Sequence, residues 1–243
     1  VINNDMEECF VKTVDNVKIA FNHYKIGSES LVIVLHGWFM TKDSFAFSHL
    51  SEQFAKNFDV ITLDFRGHGK SGGFYTFTSK EINDIQSVID IIKNDYKYIY
   101  LIGFSLGASL ALIYSSNNDC IDKVIAVSPA SDFDKIENNF WRKNAWLPTL
   151  QKFELNRWLS IRPCLPIHKK IKPIDIIQNV KCPTLFIAGK NDVTVYPWHT
   201  KLLFDKAICD KEYVLFEDGK HAEDLFLEDE INFLKICYDW LNG

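Results

Sequence analysis

The chain has 243 residues, enough for one domain with a sizeable core, and its 47% hydrophobic and 24% charged residues exclude a disordered or fibrous protein. A net charge of −5 argues against nucleic acid as a partner. The six cysteines, Cys9, Cys120, Cys164, Cys182, Cys209 and Cys237, form no CxxC or metal-type spacing, so free thiols in a reducing compartment are expected and no metal. No cationic leader with an apolar segment precedes the first strand-like stretch, and a cytoplasmic location is expected.

In chain order, Glu8 to Val14 and Val17 to Tyr24 alternate around Asp15-Asn16 and predict a β-hairpin. Leu31 to His36 is continuously apolar, as a strand buried on both faces of a parallel sheet must be. Asp59 to Asp64, Tyr98 to Gly103, Lys123 to Ser128, Thr184 to Gly189 and Glu212 to Glu217 predict further strands. Between them, Ile82, Ile85, Val88, Ile89 and Ile92 recur at spacings of three and four, which predicts a helix with Ser79 as its N-cap. Glu223 to Leu241 predicts a second amphipathic helix. This alternation indicates an α/β fold, a mostly parallel sheet with helices on both faces.

Phe133 to Val180 breaks the rhythm. A structureless loop of that length is improbable inside a compact domain, so a small helical insertion is expected. It holds Trp141, Trp146 and Trp158, and nine positive against four negative charges. A solvated cationic face is the plain explanation; attraction of anionic substrates or anionic lipid is the alternative.

The uncharged run Tyr98 to Asn118 is long enough to cross a membrane, but its composition divides it. β-Branched and aromatic residues fill the first half and Ala and Leu the second, with Gly103 and Gly107 at the junction. A strand must therefore turn sharply into a helix at Ser105, which lifts its hydroxyl out of the sheet and puts the Leu106 N–H at a helix N-terminus. A neutral serine needs a base and a group to orient that base. Among seven histidines, His221 follows the last predicted strand in a short polar loop, at the sheet edge where open α/β sheets place their sites. Asp192 follows a buried strand and is the preferred acid; Asp132 and Asp134, one strand earlier, are rivals.

These motifs together resemble the α/β-hydrolase superfamily. "LVIVLHGW" resembles its His-Gly segment, "LDFRGHGKSGG" its D-x-R-G-x-G-x-S loop, "GFSLG" its nucleophile elbow, "GKNDVTV" its acid loop and "KHAE" its histidine loop, all in the family's order. Many relatives have His where Phe104 stands. The resemblance implies an eight-stranded, mostly parallel sheet in a single domain over 1–243, with 133–180 as a cap. It implies a Ser105, Asp192, His221 triad, oxyanion donors at the N–H groups of Trp38 and Leu106, and no cofactor. Phe39, Phe104, Trp141, Trp146 and Trp158 are candidate substrate contacts, although the tryptophans could equally pack the cap onto the core. His36, Asp64, Arg66 and His68 are expected to brace loops or edge the pocket, and Trp198 and Trp240 to pack. Aspartate-nucleophile branches, the dehalogenases and epoxide hydrolases, do not fit Ser105. A small-molecule carboxylic ester is the expected substrate; thioester hydrolysis, acyl transfer and peptide hydrolysis use the same machinery, and a non-catalytic ligand-binding protein is the remaining alternative.

Overall fold

A computed structural model of the chain describes residues 5–136, 162 and 170–243. Eight strands form one sheet: β1 (Asp5–Lys12), β2 (Lys18–Lys25), β3 (Ser30–Leu35), β4 (Asp59–Leu63), β5 (Tyr98–Phe104), β6 (Lys123–Val127), β7 (Thr184–Gly189) and β8 (Lys211–Phe216). Their order across the sheet is β1-β2-β4-β3-β5-β6-β7-β8. The β1–β2 and β2–β4 pairs are antiparallel and the rest parallel. At the expected hairpin the Thr13 N–H reaches the Val17 carbonyl at 2.9 Å, and Asn16 takes the left-handed φ of +62° that Asn tolerates.

The helices are α1 (Phe45–Phe54), α2 (Ile82–Ile92), α3 (Leu106–Ser115), α4 (Pro173–Ile176), α5 (Pro197–Lys206), α6 (Glu223–Glu228) and α7 (Glu230–Asn242). They cover both faces, because successive strand residues point to opposite sides. Leu31, Ile33 and Leu35 pack with Ile85 and Val88 of α2 and Leu110 of α3. Val32 and Val34 pack with Phe47 and Leu50 of α1 and Phe233 of α7. None of the helices among the described residues is long and apolar enough to cross a membrane.

Two expectations shift. Helix α2 starts at Ile82 with Glu81 at its N-cap, not at Ser79. The Thr76 N–H and hydroxyl donate to the buried Glu81 carboxylate at 2.6 and 2.9 Å, folding residues 76–81 into a turn ahead of the helix. The C-terminal helix is two helices, broken at Asp229, whose φ is −141°. The Glu228-Asp229-Glu230 run opposes the negative C-terminal end of α6 and suits the positive N-terminal end of α7, which favours a break there.

Of the stretch 133–180, the described parts are 133–136, Arg162 and 170–180. Arg162 joins the core through both its main chain and its guanidinium, whose Nε donates to the Gly73 carbonyl at 3.3 Å and whose Nη2 donates to that of Ser71. Its N–H donates to Gly67 at 2.7 Å and its carbonyl accepts from Tyr75 at 2.8 Å.

Candidate active site

Ser105 stands between β5 and α3 at φ +53° and ψ −110°, a conformation a non-glycine residue adopts only when its surroundings enforce it. Its glycine neighbours are needed for contact as well as for the turn. A Cβ on Gly103 would stand 2.3 Å from the Gly107 carbonyl oxygen, and one on Gly107 2.1 Å from that of Leu35. The Ser105 N–H is held by the Val127 carbonyl at 2.8 Å.

The structure brings the three expected residues together. His221 Nε2 lies 3.0 Å from Ser105 Oγ, and Nδ1 lies 2.6 Å from Asp192 Oδ2. The ionised carboxylate only accepts, so the proton belongs on Nδ1 and the Nε2 lone pair faces the serine hydroxyl. Asp192 is buried, and its other oxygen accepts the N–H groups of Thr194 and Val195 at 2.8 and 2.9 Å. Those bonds turn Oδ2 towards the imidazole. The rivals are engaged elsewhere: Asp132 and Asp134 pair with Lys172 at 3.0 and 2.9 Å. Lys172 and Lys170 hold the Asp134 carboxyl below the usual range.

Two glycines that sequence reasoning missed bring acid and base together. A Cβ on Gly189 would meet the Lys220 carbonyl oxygen at 2.1 Å, and one on Gly219 would meet the Leu225 side chain at 2.3 Å. The Asn191 N–H donates to Gly219 at 2.8 Å, so the Asp192 and His221 loops are joined. The signal was present: each glycine ends or follows a predicted strand, three and two residues before the functional side chain.

Leu106 opens α3, where first-turn N–H groups lack intrahelical partners. Trp38 follows Gly37, whose α-carbon is pressed against the elbow: a Cβ there would touch Ser105 Cβ at 3.5 Å. The fully buried His36 donates from Nδ1 to the Gly37 carbonyl at 2.7 Å and accepts the Phe65 N–H on Nε2 at 3.2 Å. Burial pushes His36 down to about 4 and His68 down to about 3. Asp64 accepts the N–H groups of Lys42 and Lys70 at 2.7 and 2.8 Å, and burial pushes it up to about 6. Arg66 bonds Asp84 and Asp15, so all four groups act within the loops they brace.

Phe39 is half-buried at φ +64°, its ring 4.2 Å from that of Trp38. Tyr75 and Phe77, both missed, lie 6.1 and 6.0 Å from the Trp38 ring and extend this aromatic wall. Phe104 is a correction. It is fully buried on the opposite face from Leu101, packing edge-on to Phe47 at 5.3 Å and against Phe233 at 6.0 Å. The pleat sends it to the α1–α7 side. Trp141, Trp146 and Trp158 lie outside the described residues. Trp198 stacks on the buried His199 at 3.7 Å. Among the described residues no group of three or more His, Cys, Asp or Glu side chains is placed to hold a metal ion.

A serine at a strained strand-to-helix turn, bonded to a histidine that is bonded to a buried acid, on an eight-stranded α/β sheet, defines the general class. The chain belongs to the alpha/beta hydrolase family, whose model matches residues 32–231. It is 30% identical over 210 residues to the uncharacterized protein YqkD of Bacillus subtilis, covering 79% of this chain and 64% of that protein. It is also 30% identical over 174 residues to the alpha/beta hydrolase domain-containing protein WAV2 of Arabidopsis thaliana, covering 68% of this chain and 54% of that one. The chain thus spans between half and two thirds of the length of these curated relatives. Among solved structures it resembles an esterase of Pyrococcus furiosus, with a TM-score of 0.83 and 25% identity over 98% of this chain and 91% of that one. An esterase from Exiguobacterium antarcticum shares the fold, with a TM-score of 0.78 and 19% identity over 98% and 100% of the two chains.

Proposed function

We propose that the protein is a serine hydrolase that cleaves carboxylic esters of small molecules through an acyl-enzyme. The observation that carries this reading is the continuous chain from Asp192 through His221 to Ser105, at 2.6 and 3.0 Å. Ser105 Oγ attacks the acyl carbon while its proton passes to His221 Nε2. The imidazolium is stabilised by the Asp192 carboxylate, and the oxyanion by the N–H groups of Trp38 and Leu106. Collapse of the intermediate breaks the acyl–oxygen bond, and His221 gives its proton to the leaving alcohol. Water then attacks the acyl-enzyme with His221 as base, releasing the acid and restoring Ser105. The aromatic wall of Trp38, Phe39, Tyr75 and Phe77 supplies the apolar surface that an acyl or aryl group needs. Likeness to the Pyrococcus furiosus esterase supports the ester over other acyl substrates.

The test is turnover of p-nitrophenyl esters from acetyl to palmitoyl, with fluorophosphonate labelling in parallel. Ser105→Ala is expected to abolish labelling and to lower kcat roughly a millionfold. Asp192→Asn is expected to lower it about 10,000-fold with the fold intact, because the imidazole then takes the wrong tautomer. Labelling at another residue, or turnover that survives Ser105→Ala, overturns the reading.

A further inference from the structure

Ser128 follows β6 and takes no part in the reaction as written above. Its φ is +50°, a left-handed conformation that costs a serine free energy, and its side chain is buried. The Ser128 N–H donates to the Ile187 carbonyl of β7 at 2.8 Å, so the sheet fixes its backbone. Its Oγ accepts the N–H of Ala222 at 3.2 Å.

Ala222 directly follows His221. It is fully buried and also strained, at φ +49°. A buried N–H at that position needs an acceptor, and Ser128 provides one. At the other end of the same peptide group, the His221 carbonyl accepts the Asp224 N–H at 3.0 Å. The peptide that carries the imidazole is therefore held at both ends. One residue before Ser128, the Val127 carbonyl holds the Ser105 N–H at 2.8 Å. Adjacent residues at the end of β6 thus grip the backbones of both the serine and the histidine.

We infer that Ser128 is a positioning residue, whose hydroxyl, together with the Val127 carbonyl, fixes the separation between Ser105 Oγ and His221 Nε2. The inference rests on the triad reading above. It accounts for two strained residues that the chemistry does not use: each is bent so that a side-chain oxygen and a backbone N–H meet. A small displacement of a reacting group is enough to cost orders of magnitude in rate.

Two variants separate positioning from folding. Ser128→Ala removes the acceptor and keeps the strained backbone. Ser128→Gly removes the acceptor and relieves it. Both are expected to lose about tenfold or more in kcat on p-nitrophenyl butyrate and in the rate of fluorophosphonate labelling, with KM within about twofold of wild type. The glycine variant should have the higher Tm of the two, yet recover no activity. Activity that rises with Tm in the glycine variant, or stays within twofold of wild type in both, overturns the inference. The His221 ring is also read by ¹H and ¹⁵N NMR, which needs no turnover. Its Nδ1–H and Nε2 resonances should move in both variants; unchanged resonances reject positioning whatever the activity. A wild-type protein that neither labels nor hydrolyses esters, but whose His221 resonances move in Ser128→Ala, rejects the ester reading and keeps this one.

Discussion

At the level of single residues, the site is assembled from groups whose partners leave them one useful direction. Asp192 spends one oxygen on two backbone N–H groups and aims the other at His221. His36 likewise aims one ring nitrogen at a backbone group, in the loop that leads to Trp38. Its Nδ1–H grips the Gly37 carbonyl, which belongs to the same peptide group as the Trp38 N–H. That contact orients and polarises the proposed oxyanion donor. An asparagine amide reaches roughly where Nδ1 sits, a glutamine amide where Nε2 sits. His36→Asn should therefore stay within about tenfold of wild-type kcat, while His36→Gln should fall towards the roughly 100-fold loss expected when one donor is misaimed. Steady-state kinetics on one ester distinguishes them, and equal losses would sink the idea. Ser105, Asp192 and His221 were legible because each motif bears a local mark: a glycine-flanked turn, or a polar loop after a β-rich run. Ser128 had no such mark. Its hydroxyl meets Ala222, 94 residues away, a contact that no local pattern reveals.

At the level of elements, the strands were readable because burial on both faces demands unbroken apolar runs. What failed was the assignment of faces. Phe104 stands beside the nucleophile in sequence, but the pleat turns it into the layer between the sheet and α1 and α7. Phe104→Ala should cost about 3–5 kcal/mol in denaturant unfolding, the usual range for emptying a buried aromatic site. The preferred acyl length should not change; a shift in it would restore Phe104 to the pocket. Conversely, Tyr75 and Phe77 were invisible as wall residues because "GFYTFT" reads as a loop. Only the folding of that loop over Trp38 brings their rings beside it. The start of α2 was misread for a similar reason, since the Thr76–Glu81 contact outcompetes a local serine cap.

At the level of the whole molecule, buried ionisable groups set the response to acid. Burial pushes His23, His36 and His199 down to about 4 and His68 to about 3, against an ordinary 6.5. Between pH 6.5 and 4 the unfolded chain binds protons on these rings and the folded chain does not. Stability is therefore complete above 6.5 and declines as pH falls through that window, by at most about 1.4 kcal/mol per pH unit for each imidazole. Asp64 acts in the opposite sense. Its carboxyl, pushed up to about 6, takes a proton earlier in the folded state than in the unfolded one, and the buried Asp84 carboxyl, pushed up to about 7, does the same. Four rings outweigh two carboxyls, so Tm should drop from pH 6.5 to pH 4.5. A flat profile by scanning calorimetry would contradict this.

The attachment of Arg162 has a consequence for how such a protein can change over generations. The main-chain half of this pairing runs through N–H and C=O groups that every residue except proline carries. On the core side, Gly67 is at φ +73°, and a Cβ there would strike the Tyr75 nitrogen at 2.2 Å and the Arg162 carbonyl oxygen at 2.7 Å. A replacement at 162 thus loses the guanidinium contacts to Ser71 and Gly73 but keeps the two main-chain bonds, whereas a side chain at 67 disrupts the socket itself. Drift at 162 can therefore weaken this attachment by degrees, whereas position 67 is closed to every residue but glycine.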